Sequence, residues 1–132
     1  MTRNLGDSAR LTKTFTLDDV KLFSEISKDK NPIHLEEEYA QRAGFESRIV
    51  HGMLVASLIS AVVAQRLPGP GSIYLSQTLN FKSPAYIGDE VTAEVEIKDI
   101  KKDKIYTLRT RCLSKDGKTL VDGEALVLCE KL

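Results

Sequence analysis

Gly52-Met53-Leu54-Val55-Ala56-Ser57-Leu58-Ile59-Ser60-Ala61-Val62-Val63-Ala64 is the stretch that decides the fold. It carries no charge, and its apolar residues fall on nearly every side of a helix, so a helix here must be enclosed by other structure on most sides. A membrane span needs about 20 such residues. This run is shorter, and it closes on Arg66 and Pro68-Gly69-Pro70-Gly71. A buried core helix is expected.

The enclosure comes from the chain downstream of Gly71. Ile73, Leu75, Leu79 and Phe81 alternate with polar residues, and Val91, Ala93, Val95 and Ile97 alternate with Thr92, Glu94, Glu96 and Lys98. Two further runs cover 105–113 and 119–128, and a short strand at 9–15 makes five. Gly88-Asp89 and Asp116-Gly117 supply turns. Strand does not alternate with helix, which argues against a parallel sheet. The expected fold is α+β: one domain over 1–132, with a five-stranded antiparallel sheet wrapped on one long helix.

Upstream, Thr16 precedes Leu17, Asp18 and Asp19, a hydroxyl cap with an acidic first turn, and Leu17, Val20, Phe23 and Ile26 recur at a spacing of three. A short amphipathic helix is predicted over 17–27. The loop Lys28-Asp29-Lys30-Asn31-Pro32-Ile33-His34 comes next, its proline disfavouring helical geometry at Asn31. A second helix is expected from near Leu35, with Glu36, Glu37 and Glu38 in its first turn, to Gly44.

Composition excludes several classes of function. The 132 residues, 42% of them apolar, can bury a single core unaided. Nineteen basic and 19 acidic side chains balance, so no field gathers nucleic acid or anionic membrane. Residues 1–15 hold no apolar run and mix Arg3, Asp7, Arg10 and Lys13, which reads as cytoplasmic. Cys112 and Cys129 have no metal-ligand spacing. On a hairpin turning at Asp116-Gly117, 112 pairs with 121 and 104 with 129, too far apart for a disulfide. Two reduced core cysteines are expected.

Proton chemistry near neutral pH has few possible carriers, because the only histidines are His34 and His51. Asp29 and His34 stand across a proline-stiffened loop from which both side chains can turn toward one point. There is no G-x-S-x-G elbow, no cysteine with a histidine close in sequence, no phosphate loop and no dinucleotide fingerprint. For an enzyme, acid/base chemistry with water remains.

Asp29-x-Asn31-Pro32-x-His34, followed by His51-Gly52-Met53, resembles the signature of the R-specific enoyl-CoA hydratases, in the MaoC-like branch of the hot-dog fold. The likeness extends to Gly71-Ser72-Ile73-Tyr74-Leu75, Phe81-Lys82-x-Pro84 and Gly88-Asp89-Glu90-Val91. It implies a homodimer with a continuous sheet, a trans-2-enoyl-CoA substrate, a 3-hydroxyacyl product, and no metal or organic cofactor. Supply of polyhydroxyalkanoate monomers is the commonest such role. One departure stands out: the family's pattern has glycine before the aspartate, where this chain has Lys28. Should the position need a positive φ, lysine is strained there by roughly 1 kcal/mol or more.

On this reading Asp29 and His34 activate one water and return its proton to the α-carbon, while the Gly52 amide, at a helix N-terminus, meets the developing enolate. Met53 and Val63 are expected along an acyl tunnel, and Arg48, Arg66 or Lys82 near coenzyme A phosphates. Asn31 reads as a turn residue that could also orient His34, and His51 as structural, orienting the helix start or a loop. Ser57 and Ser60 read as bonding back to carbonyls one turn earlier, with Ser60 nearer the family's site positions. Rival readings are a dehydratase acting on acyl carrier protein, a silent acyl-binding domain, and a thioesterase; the last is disfavoured by the lack of Asp or Glu from Met53 to Gln65.

Overall fold

The computed structural model describes residues 3–130. β1 (Ser8–Thr14), α1 (Leu17–Ser27), α2 (Pro32–Leu35), α3 (Glu37–Arg42) and α4 (Gly52–Gln65) precede β2 (Ile73–Gln77), β3 (Asn80–Phe81), β4 (Glu90–Lys101), β5 (Ile105–Ser114) and β6 (Thr119–Leu128). The strands form one antiparallel sheet in the order β1-β4-β5-β6-β2, with β3 also paired to β6.

α4 lies against β4, β1, β5 and β6. Val91, Ala93, Val95 and Ile97 of β4 are buried on the face toward it, as their alternation predicts, and meet Ile59, Val62 and Val63 in one core. Each such valine or isoleucine contributes roughly 1.5–3 kcal/mol by leaving water. The enclosure is incomplete: Met53, Ser57, Ser60 and Ala64, spaced at three and four, form an exposed stripe. Ser57 donates to the Leu54 carbonyl (2.6 Å), the back-bonding expected of it.

Two elements differ from expectation. The predicted strand over 73–81 is two strands, so the sheet has six rather than five. Its break falls where Thr78 crosses Gly123 of β6: Thr78 N–H donates to the Glu124 carbonyl (2.8 Å), and Glu124 N–H donates to Thr78 Oγ1 (3.0 Å). A Cβ on Gly123 would stand 1.8 Å from the Thr78 oxygen, so only glycine admits the crossing. Earlier in the same run, Tyr74 pairs with Val127 but Ser76 with Leu126, leaving Leu75 as a bulge. The bulge turns Ile73 and Leu75 outward, where both are exposed, and gives Tyr74, Gln77 and Phe81 the face shared by Val127, Ala125 and Val121.

The second helix is shorter than expected, α3 covering only 37–42, and part of the predicted loop, 32–35, is itself the short helix α2. Pro32 begins α2 as its first residue, where its missing N–H costs nothing, while Asn31 stays extended and its Oδ1 accepts from Ile33 N–H (3.3 Å). The chain is extended again at Glu36 before α3, which ends ahead of Gly44. α1 matches its predicted span and begins with a reciprocal Thr16–Asp19 capping box. Both cysteines are free and buried, and Cys112 pairs with Val121 as the hairpin predicts. Burial pushes the Cys112 thiol up to about 12, so it stays protonated and inert.

Gly123→Ala should cost about 3 kcal/mol by forcing the Thr78 crossing apart, read as a lower urea midpoint. An unchanged midpoint would mean that the crossing relaxes freely.

Candidate active site

The site begins at the end of α1. Lys28 caps that helix in the left-handed region (φ 67°, ψ 8°), so the position does require a positive φ, and lysine bears the cost there. The turn swings Asp29 back over the helix end, where Ser27 Oγ accepts its N–H (3.1 Å). Asp29 Oδ1 accepts from Asn31 N–H (3.2 Å), leaving Oδ2 for another partner. Asn31 spends its side chain on capping α2, the turn role expected of it.

His34 is buried on α2, with Nδ1 2.8 Å from the Ile49 carbonyl. A carbonyl can only accept, so Nδ1 carries the proton and Nε2 presents a bare lone pair. His51 stacks on this ring, with centroids 3.9 Å apart and planes 30° off parallel, and is 1% exposed. Its Nε2 lies 3.1 Å from the Asp29 carbonyl and 3.0 Å from Ser24 Oγ. Burial pushes the His51 pKa down; the bond to the Asp29 carbonyl opposes this, and His34 adds to it.

Asp29, His34 and His51 each offer an atom within 4.8 Å of the others. Stacked imidazoles aim their in-plane lone pairs side by side, and Nε2 of His51 is already engaged, so the trio makes a poor cage for a cation. The Asp29 carboxylate and an imidazole nitrogen of His34 lie within 4.8 Å of each other, a spacing that one bridging water can span.

Asp29 and His34, but not His51, open on a cleft of about 470 Å³, within the range of small-molecule sites. Gly52, Met53 and the 81–85 segment also line it, and Ile49, Val50, Val55 and Val121 supply apolar wall. The N-cap of α4, His51, gives no side-chain hydrogen bond, so the partial positive charge of the first turn has no side-chain cap, and Gly52 and Met53 of that turn line the cleft. The Phe81 ring lies over Gly52: a methyl group there would come within 2.7 Å of Phe81 Cδ1.

The remaining predicted residues divide. Met53 lines the cleft and is 58% exposed. Val63 is buried in the core and does not line the cleft. Ser60 is exposed beyond it, in a second groove that includes Met53, Ser57, Tyr74 and Leu75. Arg48 pairs with Glu37 (3.5 Å), Arg66 donates to the Arg10 carbonyl (2.7 Å), and neither lines the cleft; Lys82, itself 3.8 Å from Asp122, does. Sequence reasoning assigns no site role to Phe81 or Ser24. The phenylalanine has a signal in the Phe81-Lys82-x-Pro84 stretch, whereas Ser24 reads as an ordinary helix serine.

Residues 4–116 match the family model of the MaoC like domain. An (R)-specific enoyl-CoA hydratase of Aeromonas caviae is 51% identical over 124 residues, covering 93% of this chain and 92% of its own length. The solved (R)-hydratase from A. caviae involved in PHA biosynthesis superposes with a TM-score of 0.94 at 48% identity, covering 98% of both chains. A mitochondrial 3-hydroxyacyl-acyl-carrier-protein dehydratase of Solanum lycopersicum is 44% identical over 131 residues, covering 97% of this chain and 78% of its own.

Replacing Lys28 with glycine should relieve the left-handed turn and raise stability by about 0.5–1 kcal/mol, net of the freedom glycine adds to the unfolded chain. A urea midpoint equal to or below that of the wild type would mean that the lysine carries no strain.

Proposed function

The chain belongs to the MaoC like domain family, and we propose that it adds water reversibly to trans-2-enoyl-CoA to give (R)-3-hydroxyacyl-CoA. The observation that carries the reading is His34, its Nδ1 fixed by the Ile49 carbonyl and a ring nitrogen within 4.8 Å of the Asp29 carboxylate, in one cleft with Gly52 at the start of α4, which has no side-chain cap.

Conjugation with the thioester carbonyl leaves the β-carbon of the substrate electrophilic. Asp29 and His34 hold one water against it and take a proton; the oxygen bonds to the β-carbon, and the C=C electrons move onto the thioester oxygen as an enolate. Gly52 N–H, at the positive end of α4, donates to that oxygen. The enolate then collapses as the held proton passes to the α-carbon. Both groups lie on one face of the substrate, so addition is syn. The apolar wall of Ile49, Val50, Val55 and Val121 suits the acyl chain, and Lys82 suits a phosphate.

The reading extends to a cytoplasmic homodimer that feeds polyhydroxyalkanoate synthesis, the process named for the A. caviae hydratase. The dimer is supported by edge strand β2, which exposes Ile73, Tyr74 and Leu75 beside the open stripe of α4. No helix among the described residues is long and apolar enough to cross a membrane. A second reading, dehydration of 3-hydroxyacyl groups on acyl carrier protein, is favoured by the 44% identity to the Solanum enzyme and runs the same chemistry backwards.

With crotonyl-CoA, loss of enoyl absorbance should yield the R-3-hydroxy product. Asp29→Asn should fold normally and lose about 100-fold or more in kcat, and His34→Ala should lose at least as much. Near-normal turnover in either variant would remove that residue from the mechanism. A wild type inert toward enoyl-CoA but active on carrier-bound substrate would favour the second reading.

A further inference from the structure

Asp29 is held at both ends of its backbone, in addition to the Asn31 N–H that its Oδ1 accepts. Its N–H is bound by Ser27 Oγ on α1, and its carbonyl lies 3.1 Å from Nε2 of His51 at the start of α4. We propose that His51 is a positioning residue of the hydration reaction: its Nε2–H clamps the Asp29 carbonyl, and its ring backs the imidazole of His34. The proposal rests on the reading of Asp29 and His34 given above.

The tautomer follows from the partners. The Asp29 carbonyl can only accept, so Nε2 of His51 carries hydrogen, and Ser24 Oγ, 3.0 Å away and buried, shares it. Nδ1 is then a bare nitrogen, and it has no hydrogen-bond partner among the described residues. A second proton there would create a buried cation with an unpaired N–H, which is costly. Asp29 and His34 are the titratable groups facing the ring, and the burial that holds its pKa down outweighs the help of the Asp29 carbonyl. His51 therefore stays neutral.

Neutrality has a consequence for the neighbouring ring. Two imidazoles 3.9 Å apart do not both charge readily, so a neutral His51 does not compete with the Asp29–His34 pair for the proton, and His34 Nδ1–H already has the Ile49 carbonyl. The stack also limits the tilt of His34. On its other contact His51 meets Phe23 edge-on at 4.8 Å, so the clamp is itself seated in α1.

The clamp also accounts for how Lys28 tolerates its left-handed conformation. A residue at φ 67° keeps that geometry only if its surroundings over-determine it. Here the next residue is bound at its N–H and at its carbonyl, by two different helices.

Because His51 is buried away from the substrate, its loss should appear in kcat. His51→Ala should reduce kcat on crotonyl-CoA by on the order of 100-fold, the cost of a catalytic group displaced by about 1 Å, with KM changed by less than about threefold. His51→Gln, whose amide N–H can reach the Asp29 carbonyl, should regain most of that loss. In wild-type ¹⁵N spectra, His51 should show a protonated Nε2 and a bare Nδ1 at neutral pH, and should keep them to lower pH than a free imidazole does. Near-normal kcat in a folded alanine variant would overturn the proposal. So would a glutamine variant no faster than the alanine one at equal thermal stability, or a wild-type ring protonated at Nδ1. Should the alanine variant fail to fold, the glutamine variant and the ¹⁵N tautomer still decide. A wild type that hydrates no enoyl thioester would defeat the functional reading instead, and the tautomer would still report on the clamp.

Discussion

An apolar helix must be covered, and most of this architecture stems from how α4 is covered. The sheet lays four strands against it, and the interior alternation of β4 gives it an apolar bed. Seating the helix also fixes its first turn, which opens on the cleft rather than on a capping side chain. Just before that turn, Val50 N–H donates to the Ala85 carbonyl (2.8 Å), tying the helix start to the opposite wall. Packing of the core thus sets the width of the site.

Within the cleft, charge and burial are divided between the two acid/base groups. Asp29 is exposed, so water reaches its carboxylate, whereas His34 is buried and draws its definition from one carbonyl. Neither group rests on a long element. The turn at Lys28, the proline start of α2 and the ring of His51 hold them, so precision comes from short-range bonds rather than from rigid secondary structure.

Much of this is legible in one dimension, because the signals are local. The capping box at Thr16, the alternation of β4 and the uncharged run from Gly52 each report on neighbours within a few residues, and the motif around Asp29 and His34 is contiguous. The features that stay hidden depend on distant chain. Gly123 breaks the 73–81 strand through a contact with Thr78, Phe81 reaches Gly52 across the cleft, and Ser24 meets His51 from another helix. Arg48 and Arg66 look available in sequence, but Glu37 and the Arg10 carbonyl occupy them in the fold. Pro32 reads as a breaker, yet at the first helical position it is a starter.

The bulge at Leu75 sets a parity. Along an uninterrupted strand, Phe81 would share a face with Ile73 and Leu75, which point outward, and Asn80 would be turned toward the helix. One surplus residue reverses that phase and delivers an aromatic ring to Gly52. The identity of the side chain at 75 is therefore a minor matter for the cleft. The number of residues between Tyr74 and Phe81 is what decides whether its far wall is an aromatic surface or an amide.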